Sequence, residues 1–224
     1  MLRQLISSLA LLLSLPLSGC FAQSGDPASG QSGDLADRLS EPVTLGIVPT
    51  AAGSFARVTA VTLRDGEVNE VEVVVSGGAL ALALADAELR LDSFDVSADD
   101  VTVGPGVMPP DGATFTGIAV ALASPMQSEL ASETGSGAET AGGLPVDLRW
   151  AVVLDNGVVD LAPIRLPDLP FELAVELAAD GEVEAHLTAS QPGPFWNWAG
   201  IFELRDLELD LVATTAQTVP GSVE

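Results

Sequence analysis

Between residues 42 and 215 the apolar side chains recur at every second position rather than at helical spacing, and this period constrains the fold more than any other feature of the chain. Residues 79–85 read ALALALA, with Leu80, Leu82 and Leu84 on one face. Successive side chains of a strand point to opposite faces, so such a segment buries one side and wets the other. Residues 88–91 continue as ELRL, with Leu89 and Leu91 on the opposite parity. A one-residue slip exchanges the faces of a strand, so a turn or bulge is required at 85–87.

Turn chemistry then predicts pairings. A two-residue turn at Asn156-Gly157 sets Leu154 against Val159, Val152 against Leu161 and Trp150 against Pro163, all apolar and on one face. Asp65-Gly66 in the same role sets Ala60 against Val71 and Val58 against Val73. At Asp180-Gly181 a two-residue loop would oppose Leu177 and Glu184. A three-residue loop with Gly181 left-handed pairs Leu177 with Val183, Val175 with Ala185 and Leu173 with Leu187 instead, and is preferred.

Ten to twelve short strands follow, over 43–49, 55–63, 68–76, 79–85, 87–96, 100–103, 114–123, 146–154, 158–166, 171–178, 182–190 and 202–214. With Gly, Pro and Asp between them, they predict a single all-β domain over 42–215, an antiparallel β-sandwich or a partly closed β-barrel. The tract 124–143, SPMQSELASETGSGAETAGG, is poor in core residues and is expected to be a long exposed loop. Residues 22–41 are rich in Gly, Ser, Asp and Pro and read as a flexible linker, and 216–224 as a tail.

Ahead of the linker, residues 1–19 carry one positive charge at Arg3, an apolar run over 5–17 and the small pair Ser18-Gly19. That is the layout of a secretory signal peptide. The run falls short of the roughly 20 apolar residues that a spanning helix needs. Leu17-Ser18-Gly19-Cys20 resembles the lipobox of bacterial lipoproteins, and Cys20 is the only cysteine. The resemblance implies cleavage before Cys20, lipid on its sulfur and an acylated amino group, so that the mature protein is held at a membrane by its N-terminal lipid. Because Phe21 rather than Asp follows the cysteine, the sorting rule of that class implies the outer membrane. Two or three acyl chains anchor stably where one does not. The resemblance ends at Cys20.

Loss of residues 1–19 leaves seven Arg against 32 Asp and Glu, a formal balance of −25, with no lysine. So acidic a surface repels nucleic acid. The chain is nonetheless 47% hydrophobic, enough for a packed core rather than a disordered chain. With Cys20 committed to lipid, no disulfide is expected.

Nucleophilic catalysis needs a nucleophile beside a base, and the folded part has no cysteine, lysine or tyrosine and one histidine, His186, on the polar parity of its strand. No cofactor motif is present, and no zinc ligand set. Asp92, Asp95, Asp99 and Asp100 are the densest carboxylates, but their spacing matches no calcium loop, so no metal is expected. The most unusual segment is 191–200, QPGPFWNWAG. Phe195, Trp196 and Trp198 there are expected to cap an open end of the core, with contact to a sugar or apolar ligand, or to a membrane interface, as the functional alternative. The reading as a whole is a non-enzymatic binding or structural module of the cell envelope with an envelope protein, glycan or lipid as partner. The alternative is a carrier holding a lipid or other apolar ligand in a strand-lined groove or cavity of roughly 300 to 1,000 Å³.

Overall fold

The structure, a computed structural model, describes residues 35–104, 112–154 and 157–215. The signal region, Cys20, most of the linker and the tail lie outside the described residues.

Thirteen strands are described: β1 (Val43–Ile47), β2 (Phe55–Thr62), β3 (Val68–Val73), β4 (Val75–Ala85), β5 (Glu88–Ala98), β6 (Val101–Val103), β7 (Ala113–Leu122), β8 (Met126–Thr134), β9 (Gly137–Leu154), β10 (Gly157–Asp160), β11 (Ile164–Leu177), β12 (Val183–Trp198) and β13 (Phe202–Thr214). All pairings are antiparallel, and eight strands close a ring in the order β1-β4-β5-β7-β9-β11-β12-β13, β13 returning to β1. Of the two expected architectures the chain therefore adopts the barrel, with β2, β3, β6, β8 and β10 added to it. An eight-stranded barrel is narrow enough to be filled by its own side chains. Leu45, Ile47, Leu80, Leu82, Leu144, Val146, Leu173, Val175, Leu187 and Leu211 fill this one. Outward positions on the same strands carry Glu172, Glu176, Glu184 and His186, so the wall is wet outside and apolar inside.

The chain enters at the end of the barrel formed by the β4–β5, β8–β9 and β11–β12 turns. A one-turn helix, α1 (Leu35–Arg38), puts Leu35 and then Leu39 into that end, and both are wholly buried. Leu35 N–H donates to Gly135 O, and Leu84 N–H donates to Leu39 O. The expected linker boundary at residue 41 is thus too late, because Leu35 and Leu39 lie four apart on one helical face and plug the barrel.

The opposite end is built differently. β4 pairs β5 only as far as Val75 and Ala98. Beyond that point the chain of β4 continues as β3, which pairs β2, and the chain of β5 continues as β6, which pairs β7. On the other side β12 pairs β11 only up to Ala189 and thereafter pairs β13 alone. The upper part of the barrel is therefore split into two sheets, or flaps: β3-β2-β13 with the end of β12, and β6-β7-β9 with β10.

Local expectations met different fates. The loop at 179–181 is three residues long with Gly181 at φ 85°, and pairs Leu177 with Val183, Val175 with Ala185 and Leu173 with Leu187 as expected. The parity change at 85–87 is a two-residue turn with Asp86 and Ala87 both at positive φ, setting Leu82 against Leu91 and Leu84 against Leu89. The other two hairpins are displaced by two residues. Val152 faces Val159 rather than Leu161, and Val58 faces Val71 rather than Val73. In the second, Gly66 N–H donates to Thr62 O, so a four-residue loop replaces the tight turn. A two-residue displacement keeps each side chain on its face, so alternation alone does not detect it.

The tract 124–143 is not a loop. It forms β8 and the start of β9, and β8 bridges β5 and β9. Main-chain pairing needs no apolar composition, and the few inward positions, Ala138 and Thr140, are small and buried. Thr140 Oγ1 donates to Glu129 O. Strands β11 and β12 also run further than expected, through Pro167, Pro170, Pro192 and Pro194, which stand at register shifts or on a one-sided stretch where proline is tolerated.

Two substitutions probe this architecture. Leu39→Ala should destabilise by about 2–5 kcal/mol in urea unfolding, as for other fully buried leucines. Gly78 has φ 150° where β4 curls, and a Cβ there would lie 2.1 Å from Asp95 O. Gly78→Ala should therefore cost about 2 kcal/mol or more and lower the melting temperature.

Candidate functional site

Three strands change parity at the height where the barrel gives way to the flaps. In β7 the inward side chains are Ala113 and Phe115 before Gly117, and Ile118 and Val120 after it, with Gly117 at φ 62° and a register shift between Thr116 and Ala119. In β13 they are Phe202 and Leu204 before Asp206, then Leu207, Leu209 and Leu211, with Asp206 at φ 50°. In β12 the shift lies at Pro192-Gly193 and again at Phe195, so that Phe195 and the next residue, Trp196, both reach the interior. A bulge bends its strand and increases its twist. Here the bulges separate the leucine core of the barrel from a second apolar cluster between the flaps.

That second cluster is aromatic. Trp196 meets Trp150 edge to face at 5.3 Å and Phe202 at 5.6 Å, and stacks on Trp198 at 6.4 Å. Phe202 also receives Trp198 at 5.7 Å and Phe115 at 5.9 Å. Edge-to-face pairs at these separations are attractive beyond the area they bury. Trp196 and Trp198 are thus brought together with three aromatics that sequence reasoning had not grouped with them, Phe115, Trp150 and Phe202, while Phe195 packs on the barrel side of the bulge. The signal for Phe115 and Phe202 was present, since both occupy inward positions at the far ends of their strands. What was missing was the cross-barrel pairing that gathers them.

Between the flaps runs a channel of about 100 Å³. One side is lined by residues of β2, β3 and β13, among them Ala60, Val71 and Leu204, and the other by β5, β6, β7 and β9, among them Val96, Val101, Ile118 and Trp150. The wall presents no polar surface. The only ionisable residue along it is Arg57, whose guanidinium is held by Glu208 and Glu70 and lies 5.5 Å over the Phe55 ring. Trp150 contributes apolar ring surface; its indole Nε1 is buried without a hydrogen-bond partner, as is Asn69 Nδ2 on β3. A second depression, about 570 Å³, lies on the outer wall beside Phe55, Glu172, Thr188 and Asp210. It is larger but more open and partly polar, whereas the channel is more enclosed and apolar throughout and is the better candidate.

The bulge that shapes the channel is fixed electrostatically. Gly193 N–H donates to Asp206 Oδ1 at 2.7 Å, and Arg205 Nε donates to Oδ2 at 3.0 Å. The Gly193 hydrogen bond, with help from Arg205, holds the Asp206 carboxyl below the usual carboxylate range. Across β9 and β11, Arg165 Nε and Nη2 donate to Asp147 at 3.0 and 3.4 Å, lowering the Asp147 pKa in the same way.

The remaining sequence candidates fall elsewhere. His186 is half exposed on the outer wall and pairs with Asp210. Asp92 pairs with Arg90, and Asp95, Asp99 and Asp100 point to solvent. Among the described residues no group of three or more His, Cys, Asp or Glu gathers at metal-binding distance. Cys20 lies outside the described residues. Chemically, the channel offers apolar contact. Compared with protein-family models, curated proteins and solved structures, the chain matches none.

Two measurements follow from this geometry. Because the folded-state pKa of Asp206 is depressed, its contribution is complete above the ordinary carboxylate pKa of about 4 and is lost as pH falls through the lower folded value. Asp206→Asn keeps an acceptor for Gly193 but no titrating charge, so the melting temperature of the parent should exceed the variant's above about pH 5 and converge on it under acid. Trp196→Ala removes three ring contacts and should destabilise by about 2 kcal/mol or more in urea.

Proposed function

We propose that this chain is an exported lipoprotein, held at the cell envelope through lipid on Cys20, whose barrel is a non-enzymatic binding module that receives an apolar ligand between its two flaps. The observation that carries the binding reading is the channel itself: a passage with purely apolar walls, bounded by two sheets that part at the β3–β4 and β5–β6 breaks. A sandwich or barrel serving only as scaffold would fill this space, as the lower barrel does.

At about 100 Å³ the channel is smaller than the roughly 300 to 1,000 Å³ of a site that engulfs a whole small molecule. It suits one limb of a ligand whose remainder stays outside, which favours a lipid over a compact solute. Carriage of such a lipid to or from a membrane is the more specific form of this reading.

Support for the envelope location comes from the lipobox-like Leu17–Cys20 and from the outward charges of the wall. A spanning barrel carries an apolar outer band, and this one carries Glu172, Glu176 and Glu184 instead. Among the described residues no helix is long and apolar enough to cross a membrane.

The test is fractionation with mass spectrometry. The native protein should partition with envelopes and its N-terminal peptide should carry acyl mass on Cys20, while Cys20→Ser should be recovered in the soluble fraction. Equal envelope recovery of the Ser variant, or a native N-terminal peptide without acyl chains, would remove the anchor from the account.

A further inference from the structure

A split sheet leaves free edges, and those of the described residues are unequally protected. Where a strand has no neighbour, its amides and carbonyls can pair with another chain, and natural sheets blunt such edges with short strands or proline. Strands β6 and β10 have three and four residues. The stretches of β11 and β12 without a second neighbour carry Pro167, and Pro192 and Pro194. Strand β3 has six residues and no proline, and among the described residues it pairs with β2 alone. It borders the gap that opens where the β4–β5 pairing ends at Val75 and Ala98.

This edge has a definite chemistry. Thr62 N–H donates to Glu67 O, so alternation along the antiparallel β2–β3 pair turns the main chain of Asn69, Val71 and Val73 toward β2 and that of Val68, Glu70 and Glu72 away from it. Val74 O has the outward parity and accepts from Asp99 N–H just past β5, which is where the free edge stops. On the outer face the same positions present Val68, 62% exposed, and the carboxylates of Glu70 and Glu72. A single guanidinium lies beside the two acids, that of Arg57, which is held by Glu208 and reaches Glu70 at 3.7 Å. On the inner face Val71 and Val73 are half-buried and apolar.

Main-chain donors and acceptors at alternate residues are satisfied by another extended chain, the mode in which peptides add to a sheet edge. A second copy of β3 is the wrong chain. In the registers that pair most of the edge, an antiparallel copy sets Glu70 against itself or against Glu72, and like charges directly opposite destabilise. The net charge of −24 adds repulsion between whole copies. A strand with Lys or Arg at the opposing positions meets both carboxylates instead. We propose that the free edge of β3 takes up an extended segment of a basic partner protein, as an added antiparallel strand with Lys or Arg opposite Glu70 and Glu72 and apolar residues at the alternate positions beside Val71 and Val73. The carboxylates that bar self-pairing thereby choose the partner. This is a second site, on the rim of one flap, and it holds whatever the channel between the flaps receives.

The probe is a blocked, fluorescently labelled peptide, Val-Lys-Val-Lys-Val-Lys-Val, titrated into the full-length protein at physiological ionic strength and followed by anisotropy. It should bind about tenfold or more tighter than the same peptide with Glu in place of Lys. N-methylation of the lysine amides, which face β3, should weaken binding about tenfold or more, and N-methylation of the valine amides, which face away, should not. Glu70→Pro removes an amide that β2 does not use, so the variant should stay folded by circular dichroism and lose the peptide. Equal affinity of the lysine and glutamate peptides overturns the basic partner. Equal effects of the two methylations overturn strand addition and leave only attraction to an acidic surface. Absence of binding, or full binding by folded Glu70→Pro, overturns the site. A dimer of the unaltered protein that Glu70→Pro dissolves makes a second copy the occupant and overturns the partner. Should Glu70→Pro not fold, the two methylated peptides on the unaltered protein decide the matter alone.

Discussion

Two residue pairs, Gly46 with Thr214 and Ile47 with Ala213, close the ring between β1 and β13. Just beyond them Val48 N–H donates to Val212 O, and the buried Ser54 hydroxyl accepts from Val212 N–H. Without that short seam the sheet would end in two free edges, each with a row of unpaired amides and carbonyls and with one face of leucines exposed. Closure over so few residues suffices because β13 is shared: its last residues hold β1, and residues 202–210 hold β2. The strand that completes the barrel is thus also the strand that carries one flap, and the packed lower body and the split upper part are two halves of the same elements.

The bulges are what allow one strand to serve both. A strand with unbroken alternation would present its second half to solvent once the sheet turned outward. Gly117, Gly193 and Asp206 each adopt a backbone conformation that resets the alternation, so Phe115 and Val120 face inward on one strand, as do Leu204 and Leu207 on another. Asp206 is the unusual member, since it is not glycine. Its carboxylate bonds to Gly193 N–H across the strand pair, so the residue that bends β13 also fixes the bend in β12. A non-glycine residue in this conformation is strained, and such strain persists where neighbouring contacts over-determine it. The contacts here are those that shape the channel.

How much of this was legible in the sequence depended on distance along the chain. The three-residue loop before Glu182 and the parity change at 85–87 are decided by residues within a few positions of one another, and both were read correctly. The registers at Gly66 and Gly157 were not, because shifts of two residues preserve every apolar face and leave alternation unchanged. Strand β8 was hidden by composition: its partners on β5 and β9 hold it through the main chain, which composition does not report. Leu35 and Leu39 were hidden by the Gly-, Ser- and Asp-rich tract around them, although their spacing of four was a usable sign. Of the site, Phe195, Trp196 and Trp198 stood out, whereas Trp150, which meets Trp196 edge to face, looked like any inward strand residue. Its setting is created by pairings between segments some fifty residues apart, such as β9 with β12 and β13 through the ring pairs of Trp196 and Phe202.

The plug formed by Leu35 and Leu39 has a mechanical consequence. Any pull on the amino-terminal segment is delivered to the filled end of the cylinder, where Leu39 O is bonded to Leu84 N–H and two leucines must be drawn out of a packed interior before a strand can yield. The first bonds to bear such a load are those to Leu84 on β4 and to Gly135 between β8 and β9, at the end away from β3, β6 and β10. Strain applied at Leu35 thus bears on the stoppered end and not on the split one, much as a line made fast at the stern leaves the bow free.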